Sequence, residues 1–354
     1  MLVAVTADLH LTSRESNPER YDALENILEQ AVREKIGAVI IAGDLFDEEC
    51  NNYSQFEAVC MDTRYRHIHF HVIPGNHDPR LSSRSFSADN VTVYSDPDLR
   101  QFDLMSLSVL FLPYRKNQSM GEALAAFDGK LHRGGWILIG HGEWVEGMRE
   151  PNPLEPGVYM PLTRTDVEST QPVRVILGHV HKSYDREIVH YPGSPCGFDI
   201  TETGRRRFLL LETESGLVKP RRVGTGVIYF DEWKVVLPFA KEDEDIRAKL
   251  AEMIQSWKLD EAEFPRIRCR LKLSGYTSDK KRLLKTVREV CHAFRFHPDG
   301  EPDLSDVSVS TDPERAEVAE RVQRLIDGME WPSGPGAPRR EAAFLHALHT
   351  IYDE

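Results

Sequence analysis

The sequence lacks the features that mark the more specialised protein classes. No stretch of its 354 residues approaches eighteen consecutive apolar residues, so no membrane-spanning helix is predicted. Its cysteines are few, scattered and never spaced as Cys-x-x-Cys: Cys50, Cys60, Cys196, Cys269 and Cys291. A disulfide framework or a zinc knuckle is therefore not expected. The first residues, MLVAVTADLH, are too short and too soon acidic an apolar run to predict a signal peptide, and we expect a protein of the reducing cytoplasm.

An excess of positive charge is also missing. The formal net charge is -13, and acidic residues outnumber basic ones on both sides of Phe230. No global field would therefore draw the chain to a nucleic-acid backbone. If the substrate is nucleic acid, metal ions, a local basic strip or a partner must supply the attraction.

What is present over the first two thirds is an alternation of short apolar runs and helical patterns. The runs that predict buried strands are 2–8, 38–44, 67–78, 107–113, 136–141 and 173–179. Runs this short, mostly apolar throughout and in part connected by helices, indicate a layered α/β domain with buried sheets.

Polar side chains follow most of these predicted strands. The candidate metal ligands among them are Asp8, His10, Asp44, Asn76, His141, His179 and His181. In open α/β sheets, ligands collect beyond the carboxyl ends of the strands. A set of imidazoles and oxygens without cysteine suits manganese, iron or zinc. We expect Asp44 to bridge two ions through its two oxygens, and such a pair of ions would hydrolyse a phosphate ester.

In order along the chain, D8-L-H10, G43-D44-L-F-D47, G75-N76-H77-D78, G140-H141 and G178-H179-V-H181 resemble the calcineurin-like metallophosphoesterase superfamily over about residues 1–200. The resemblance implies a layered β-sandwich flanked by helices. Residues 110–115 and 191–212 are similar to SbcD-type nucleases, the nuclease subunits of complexes that process DNA double-strand breaks.

The resemblance also implies a role for each site residue. One ion would be held by Asp8, His10, Asp44 and His181. The other would be held by Asp44, Asn76, His141 and His179. Manganese is the expected metal at both positions.

His77 is not expected to be a ligand. It would face the phosphate, where it would stabilise charge or protonate the leaving oxygen. Asp78 or Asp47 would orient its ring, although Asp47 could equally cap the next helix. These three residues are the predicted catalytic group.

Other polar residues have ordinary explanations. His67, His69 and His71 alternate with apolar residues and so share one strand face, where we expect packed or solvated histidines and no metal. Asp128 and Glu143 are expected at the surface.

The pattern changes after residue 230. A predicted helix at 241–258 precedes a strictly alternating segment at 265–275, whose polar face consists of Arg266, Arg268, Arg270 and Lys272. This face could contact DNA phosphates or could be an ordinary solvated face. We predict a metallophosphoesterase domain over 1–230 and a small α+β capping domain over 231–330, which in the resembled family helps to hold DNA.

The last residues combine a linker with a helix. Residues 331–340 are rich in proline and glycine, and 341–354 predict an amphipathic helix. Its apolar stripe must be buried on its own domain or on a partner. In the resembled family, a helical segment here binds the coiled coil of an SMC-like ABC ATPase, and the nuclease forms a homodimer.

Three functions remain from the sequence alone. The first is a manganese-dependent DNA exo/endonuclease that works with the ATPase. The second is a phosphodiesterase acting on nucleotides or small phosphate esters. The third is a non-catalytic scaffold, which is disfavoured because every predicted ligand position and His77 carry competent side chains.

Overall fold

The computed structural model describes residues 1–48, 50, 52–101, 107–146, 158–238, 241–298, 300–332 and 337–353. The chain divides into two compact units. Unit 1 comprises Met1–Gly197 and Arg205–Gly226, and unit 2 comprises Phe198–Gly204 and Val227–Glu354. The boundary predicted at residue 230 falls inside a strand of unit 2, Ile228–Val236. No helix among these residues is long and apolar enough to cross a membrane.

Unit 1 is built mainly from short strands. They are β1 (Leu2–Thr6), β2 (Ala38–Ala42), β3 (His69–Ile73), β4 (Val91–Val93), β5 (Asp98–Arg100), β6 (Ser108–Leu112), β7 (Trp136–His141), β8 (Trp144–Val145), β9 (Leu162–Thr163), β10 (Arg174–Gly178), β11 (Tyr184–Arg186), β12 (Val189–Tyr191), β13 (Arg207–Glu212) and β14 (Val218–Arg222). The helices are α1 (Pro18–Arg33), α2 (Ser54–Met61), α3 (Met120–Ala125) and α4 (Arg164–Thr170).

Two six-stranded sheets organise unit 1. Their strand orders are β14-β13-β1-β2-β3-β4 and β11-β12-β10-β7-β6-β5. Strands β1 to β4 run parallel to one another, and so do β6, β7, β10 and β12. Parallel strands place their carboxyl ends at the same edge, so the loops that follow them converge.

The two sheets pack face to face around one apolar core. Val5 and Ile40 of the first sheet lie in the same buried cluster as Phe111, Ile139 and Ile176 of the second. Helix α3 packs on the outer face of the second sheet. The predicted fold class, a layered β-sandwich flanked by helices, is confirmed.

Over its described residues, unit 2 contains a four-stranded parallel sheet and four α-helices. Its elements are β15 (Ile228–Val236), α5 (Glu242–Ser256), β16 (Ile267–Thr277), α6 (Lys280–Val290), β17 (Arg295–Phe296), β18 (Asp303–Val309), α7 (Pro313–Gly328) and α8 (Arg340–Tyr352). Strand β16 is central and pairs with β15, β17 and β18. Its alternation is as predicted, with Ile267, Cys269, Leu271 and Leu273 buried.

The C-terminal helix α8 lies against its own unit. Phe344 and Leu348 are buried and pack with Val235, Tyr276 and Ala319. Of the two places left open for the apolar stripe, the structure therefore favours the chain's own domain. Residues 333–336 of the predicted linker lie outside the described residues.

Candidate metal centre

The loops after β1 and β2 run side by side. The Asp8 amide donates to the Gly43 carbonyl at 3.1 Å, and the His10 amide donates to the Asp44 carbonyl at 3.0 Å. These bonds extend the pairing of the two parallel strands beyond their ends. The first predicted ligands are thereby held by main-chain hydrogen bonds.

The four residues predicted for the first ion lie together. Ligand atoms of Asp8, His10 and His181 are all within 4.8 Å of one another. The Nε2 atoms of His10 and His181 are 3.1 Å apart, and His10 Nε2 lies 3.5 Å from Asp44 Oδ2. The segments that follow β1, β2 and β10 thus meet at one place.

The four residues predicted for the second ion also lie together. His141 Nε2 is 3.3 Å from Asp44 Oδ2 and 2.9 Å from Asn76 Oδ1. The same Asn76 oxygen is 3.0 Å from His179 Nδ1. Asp44 is thus shared by both sets.

Asp44 is shared through one oxygen. Oδ2 faces both His10 and His141, whereas Oδ1 accepts a hydrogen bond from the His77 amide at 2.8 Å. The two oxygens therefore face different partners, whereas the sequence predicts a bridge through both of them. The difference arises because the backbone of the Asn76–His77 turn already occupies Oδ1.

Several buried atoms of this centre fit a divalent cation. Asp8 Oδ2 is buried, and no hydrogen bond reaches it within the described residues. His141 Nδ1 bonds the Ala42 carbonyl at 2.9 Å, which leaves Nε2 to face the shared oxygens of Asp44 and Asn76. Burial lowers the pKa of His10 to about 3, so its imidazole is neutral and can bind a metal. Imidazole and carboxylate are the donors that manganese, iron and zinc accept.

The backbone of the centre is strained. Asp8, His10, Asp44 and His179 have φ angles of 53°, 44°, 48° and 97°. Left-handed backbone is uncommon outside glycine and clusters at functional sites. Gly43, at φ 91°, is required for a second reason, because an added Cβ would lie 2.0 Å from His141 Nδ1.

His77 lies at the edge of both ligand sets. Its Nδ1 is 3.6 Å from Asp47 Oδ1, and the interaction with Asp47 raises the His77 pKa. Asp78 points elsewhere, since it accepts hydrogen bonds from the Gly75 and Phe46 amides at 2.6 and 3.1 Å. Of the two carboxylates predicted to orient His77, Asp47 is therefore the adjacent one.

A ligand atom of His77 also lies within 4.8 Å of those of His10 and Asp44. The geometry alone thus admits His77 as a ligand. The interaction of its Nδ1 with Asp47 raises the His77 pKa, and the number of ions bound by a His77 variant distinguishes a ligand from a proton donor.

Arg20 is a neighbour of this group that sequence reasoning missed. Its Nη1 donates to Asp47 Oδ2 at 3.1 Å and to the His10 carbonyl. Arg20 lies in the first turn of α1 and is largely buried. It holds Asp47, the carboxylate beside His77, in place and connects it to the loop after β1.

Glu143 is buried, contrary to the surface position that the sequence predicts. It was expected at the surface but is 3% exposed, and its Oε1 lies 3.5 Å from His179 Nε2. Asp128 is exposed as expected.

A tyrosine packs beside His179, and a second tyrosine lies next to it. The Tyr159 ring packs 4.6 Å from the His179 ring, and the Tyr114 ring lies 6.1 Å from that of Tyr159.

The histidines in and before β3, for which no metal is expected, include two that hydrogen-bond the neighbouring strand region. His69 and His71 hydrogen-bond Thr92 Oγ1 and the Tyr94 hydroxyl, at 2.8 and 3.0 Å. His67 is exposed and lies outside β3.

The basic face of β16 lies in unit 2. Arg270 pairs with Asp231, and Lys272 pairs with Asp306 at 2.6 Å. Arg268 donates to main-chain carbonyls, and Arg266 is exposed. Much of the face is therefore already in ion pairs.

The centre provides the groups for phosphoester hydrolysis. Divalent ions, when bound, neutralise charge on the phosphate and activate water. The protein holds the ligands through main-chain hydrogen bonds and left-handed turns. Asp47, itself held by Arg20, raises the His77 pKa and so favours a proton on a ring that lies beside the ligand sets.

Comparison with known proteins agrees with this geometry. The family model for calcineurin-like phosphoesterases matches residues 1–202. The uncharacterized metallophosphoesterase YhaO of Bacillus subtilis (strain 168) is 27% identical over 215 residues, 55% of this chain. That alignment covers 50% of YhaO, so the chain spans about half the length of this relative.

Two solved structures are also similar. One is described as a novel archaeal phosphodiesterase, with 14% identity and a TM-score of 0.34 over 63% of this chain and 100% of that chain. The other is a dimetal phosphatase from Danio rerio, with 14% identity and a TM-score of 0.39 over 63% of this chain and 96% of that chain. The family model covers more than half of the chain and all the predicted ligands. The chain belongs to the calcineurin-like phosphoesterases, metal-dependent hydrolases of phosphate esters.

Proposed function

We propose that the chain is a two-metal nuclease that hydrolyses phosphodiester bonds of DNA, with manganese as its ion. The observation that carries the proposal is the pair of ligand sets joined at Asp44 Oδ2, with His77 beside them. Two ions joined by one carboxylate oxygen suit the in-line displacement of a phosphate ester.

DNA as the substrate is supported by the motif similarity to SbcD-type nucleases and by the basic face of β16. Arg270 and Lys272 are each 44% exposed, and their partners are exposed carboxylates. Surface pairs of this kind contribute only about 0–1 kcal/mol, so DNA phosphates can replace the carboxylates at little cost. The counterions released from DNA favour that exchange.

A phosphodiesterase acting on nucleotides or small phosphate esters is the second candidate. It is favoured by the net charge of -13 and by the ion pairs that already neutralise part of the basic face. The two candidates share the same metal centre and differ in what surrounds it.

One comparison separates the two candidates. Native protein is assayed on linear DNA and on bis-p-nitrophenyl phosphate, with Mn²⁺, Mg²⁺ or a chelator. A variant with Arg268, Arg270 and Lys272 all changed to Gln is compared with a control that carries Arg282, Lys285 and Arg288 changed to Gln on α6. We expect the β16 variant to cleave DNA about tenfold or more slowly than the native protein at low salt and to depend less steeply on salt, with native hydrolysis of the small ester.

If the protein hydrolyses the small ester rapidly but leaves DNA intact, the result supports the second candidate, a phosphodiesterase of nucleotides or small phosphate esters. Hydrolysis of neither substrate by metal-loaded protein would contradict both. Equal loss in the β16 variant and in the α6 control would remove β16 as the DNA surface.

We further propose that the chain pairs with a second copy and binds the coiled coil of an SMC-like ATPase. Because the α8 stripe is covered, the proposed contact is on α7. Val318, Leu325 and Met329 of this region are 48%, 69% and 56% exposed. Val318 and Leu325 lie seven residues apart on one face of α7, as in a coiled-coil seam, and Met329 follows directly after the helix ends.

We expect Leu325→Glu to abolish co-elution with the ATPase while leaving ester hydrolysis unchanged. The matched control is Leu217→Glu, at another exposed leucine, in unit 1. Size-exclusion chromatography with light scattering reports both complexes. If Leu325→Glu co-eluted with the ATPase as the native protein does, the α7 contact would be contradicted. A strictly monomeric mass of the native protein at micromolar concentration would contradict the homodimer.

A further inference from the structure

The Glu143 carboxylate is fixed beside a predicted metal ligand. Its amide donates to the Tyr159 carbonyl at 2.9 Å, and its carbonyl accepts from the Leu162 amide at 2.8 Å. Main-chain bonds on both sides set the direction of the side chain. Burying a carboxylate is costly unless it is paired or hydrogen-bonded, and its Oε1 lies 3.5 Å from His179 Nε2.

The two nitrogens of His179 face different partners. Nδ1 lies 3.0 Å from Asn76 Oδ1, the oxygen that also faces His141, whereas Nε2 faces Glu143. A neutral imidazole that binds an ion through one nitrogen carries its proton on the other. Nδ1 lies on the side of the second ligand set, so the proton belongs on Nε2.

We propose that Glu143 is a positioning residue that accepts the Nε2 proton of His179 and thereby aims Nδ1 at the second ion. Glu143 faces Nε2, whereas the Asn76 oxygen of the second ligand set faces Nδ1, so Glu143 acts on the ligand from the side away from that set. Carboxylates in this position fix the tautomer and orientation of the ring and raise its basicity. The inference rests on the metal centre and is independent of whether the substrate is DNA.

The test measures Mn²⁺ binding by titration calorimetry on metal-free protein. Glu143→Ala removes the acceptor, and Glu143→Gln keeps an oxygen that can accept the proton. The control is Glu146→Gln, which removes a nearby charge that pairs with Arg164 and Arg186 away from the ligands.

We expect two ions in the native protein and about 10–100-fold weaker binding of one of them in Glu143→Ala. Glu143→Gln should recover most of that loss, and Glu146→Gln should bind as the native protein does. Long-range ¹⁵N NMR of the histidines in Zn²⁺-loaded native protein should show His179 protonated at Nε2 and bound through Nδ1.

Native affinity for both ions in Glu143→Ala would overturn the assignment while leaving the metal centre intact. Binding of His179 through Nε2 would overturn it as well. A native protein that binds no ion would overturn the metal centre and this assignment together. Thermal unfolding in chelator shows whether Glu143→Ala is folded, and if it is not, Glu143→Gln and the NMR result decide.

Discussion

Changing Asp44 to Asn is expected to abolish binding of both ions and, with them, hydrolysis. Asp44 Oδ1 is held by the His77 amide, so the asparagine oxygen will take that place. The amide nitrogen must then occupy the position of Oδ2, which faces His10 and His141. Two N–H donors would thus replace the shared oxygen of both ligand sets. The loss of affinity should exceed about a hundredfold, since losing a partner outside the ligands already costs 10–100-fold.

The measurement for Asp44→Asn is Mn²⁺ binding together with the shift of unfolding temperature that Mn²⁺ causes. An ion at a hundred times its Kd stabilises the native protein by about 2.7 kcal/mol, and the variant should gain nothing. Asp78→Asn is the matched control, because Asp78 is a buried carboxylate whose oxygens, among the residues that the structure describes, accept hydrogen bonds only from the Gly75 and Phe46 amides. It should lose about 1–3 kcal/mol of unfolding free energy and keep both ions. Two ions bound to Asp44→Asn at native affinity would contradict the shared role.

The positions of the ligands along the chain could be predicted from the sequence. Each follows or ends a short apolar run, and parallel strands bring such ends to one edge. The sharing of Asp44 through a single oxygen could not be predicted. It depends on the hydrogen bond from the His77 amide, which joins residues 33 positions apart.

Glu143 and Arg20 were missed for the same reason. A glutamate two residues after His141 looks like a loop residue, and its burial comes from the main chain at Tyr159 and Leu162. Arg20 looks like any charged residue in the first turn of a helix, and it contacts Asp47 only after α1 folds against the loops. A local pattern carries no information about such distant contacts.

The C-terminal helix shows the same limit. Its apolar stripe is visible in the sequence, but the surface that covers it is built from Val235, Tyr276 and Ala319, far along the chain. A stripe predicts that something is buried against it and does not predict what. The exposed apolar residues of α7 could not be predicted as a contact surface, because the sequence does not show which apolar residues of a helix stay exposed in the folded protein.

His77→Ala is expected to keep both ions and to lose hydrolysis by about 10²–10⁴-fold on a substrate with a poor leaving group. The reason is that Asp47 raises the pKa of His77, whose ring lies beside the ligand sets, and the variant has no proton donor there. Mn²⁺ titration and hydrolysis rates are measured on the same preparations. The control is His67→Ala, at an exposed histidine of unit 1. Loss of one ion in His77→Ala would instead make His77 a ligand.

The choice of substrate separates the two roles left open for His77. The p-nitrophenolate group leaves as a stable anion and needs no proton, whereas the alkoxide that leaves a DNA strand must be protonated. If His77 protonates the leaving oxygen, the alanine variant should therefore cleave bis-p-nitrophenyl phosphate nearly as well as the native protein and fail on DNA. If His77 stabilises charge on the phosphate, both substrates should lose rate equally, because that charge develops whichever group leaves. Native rates on both substrates would exclude His77 from the reaction.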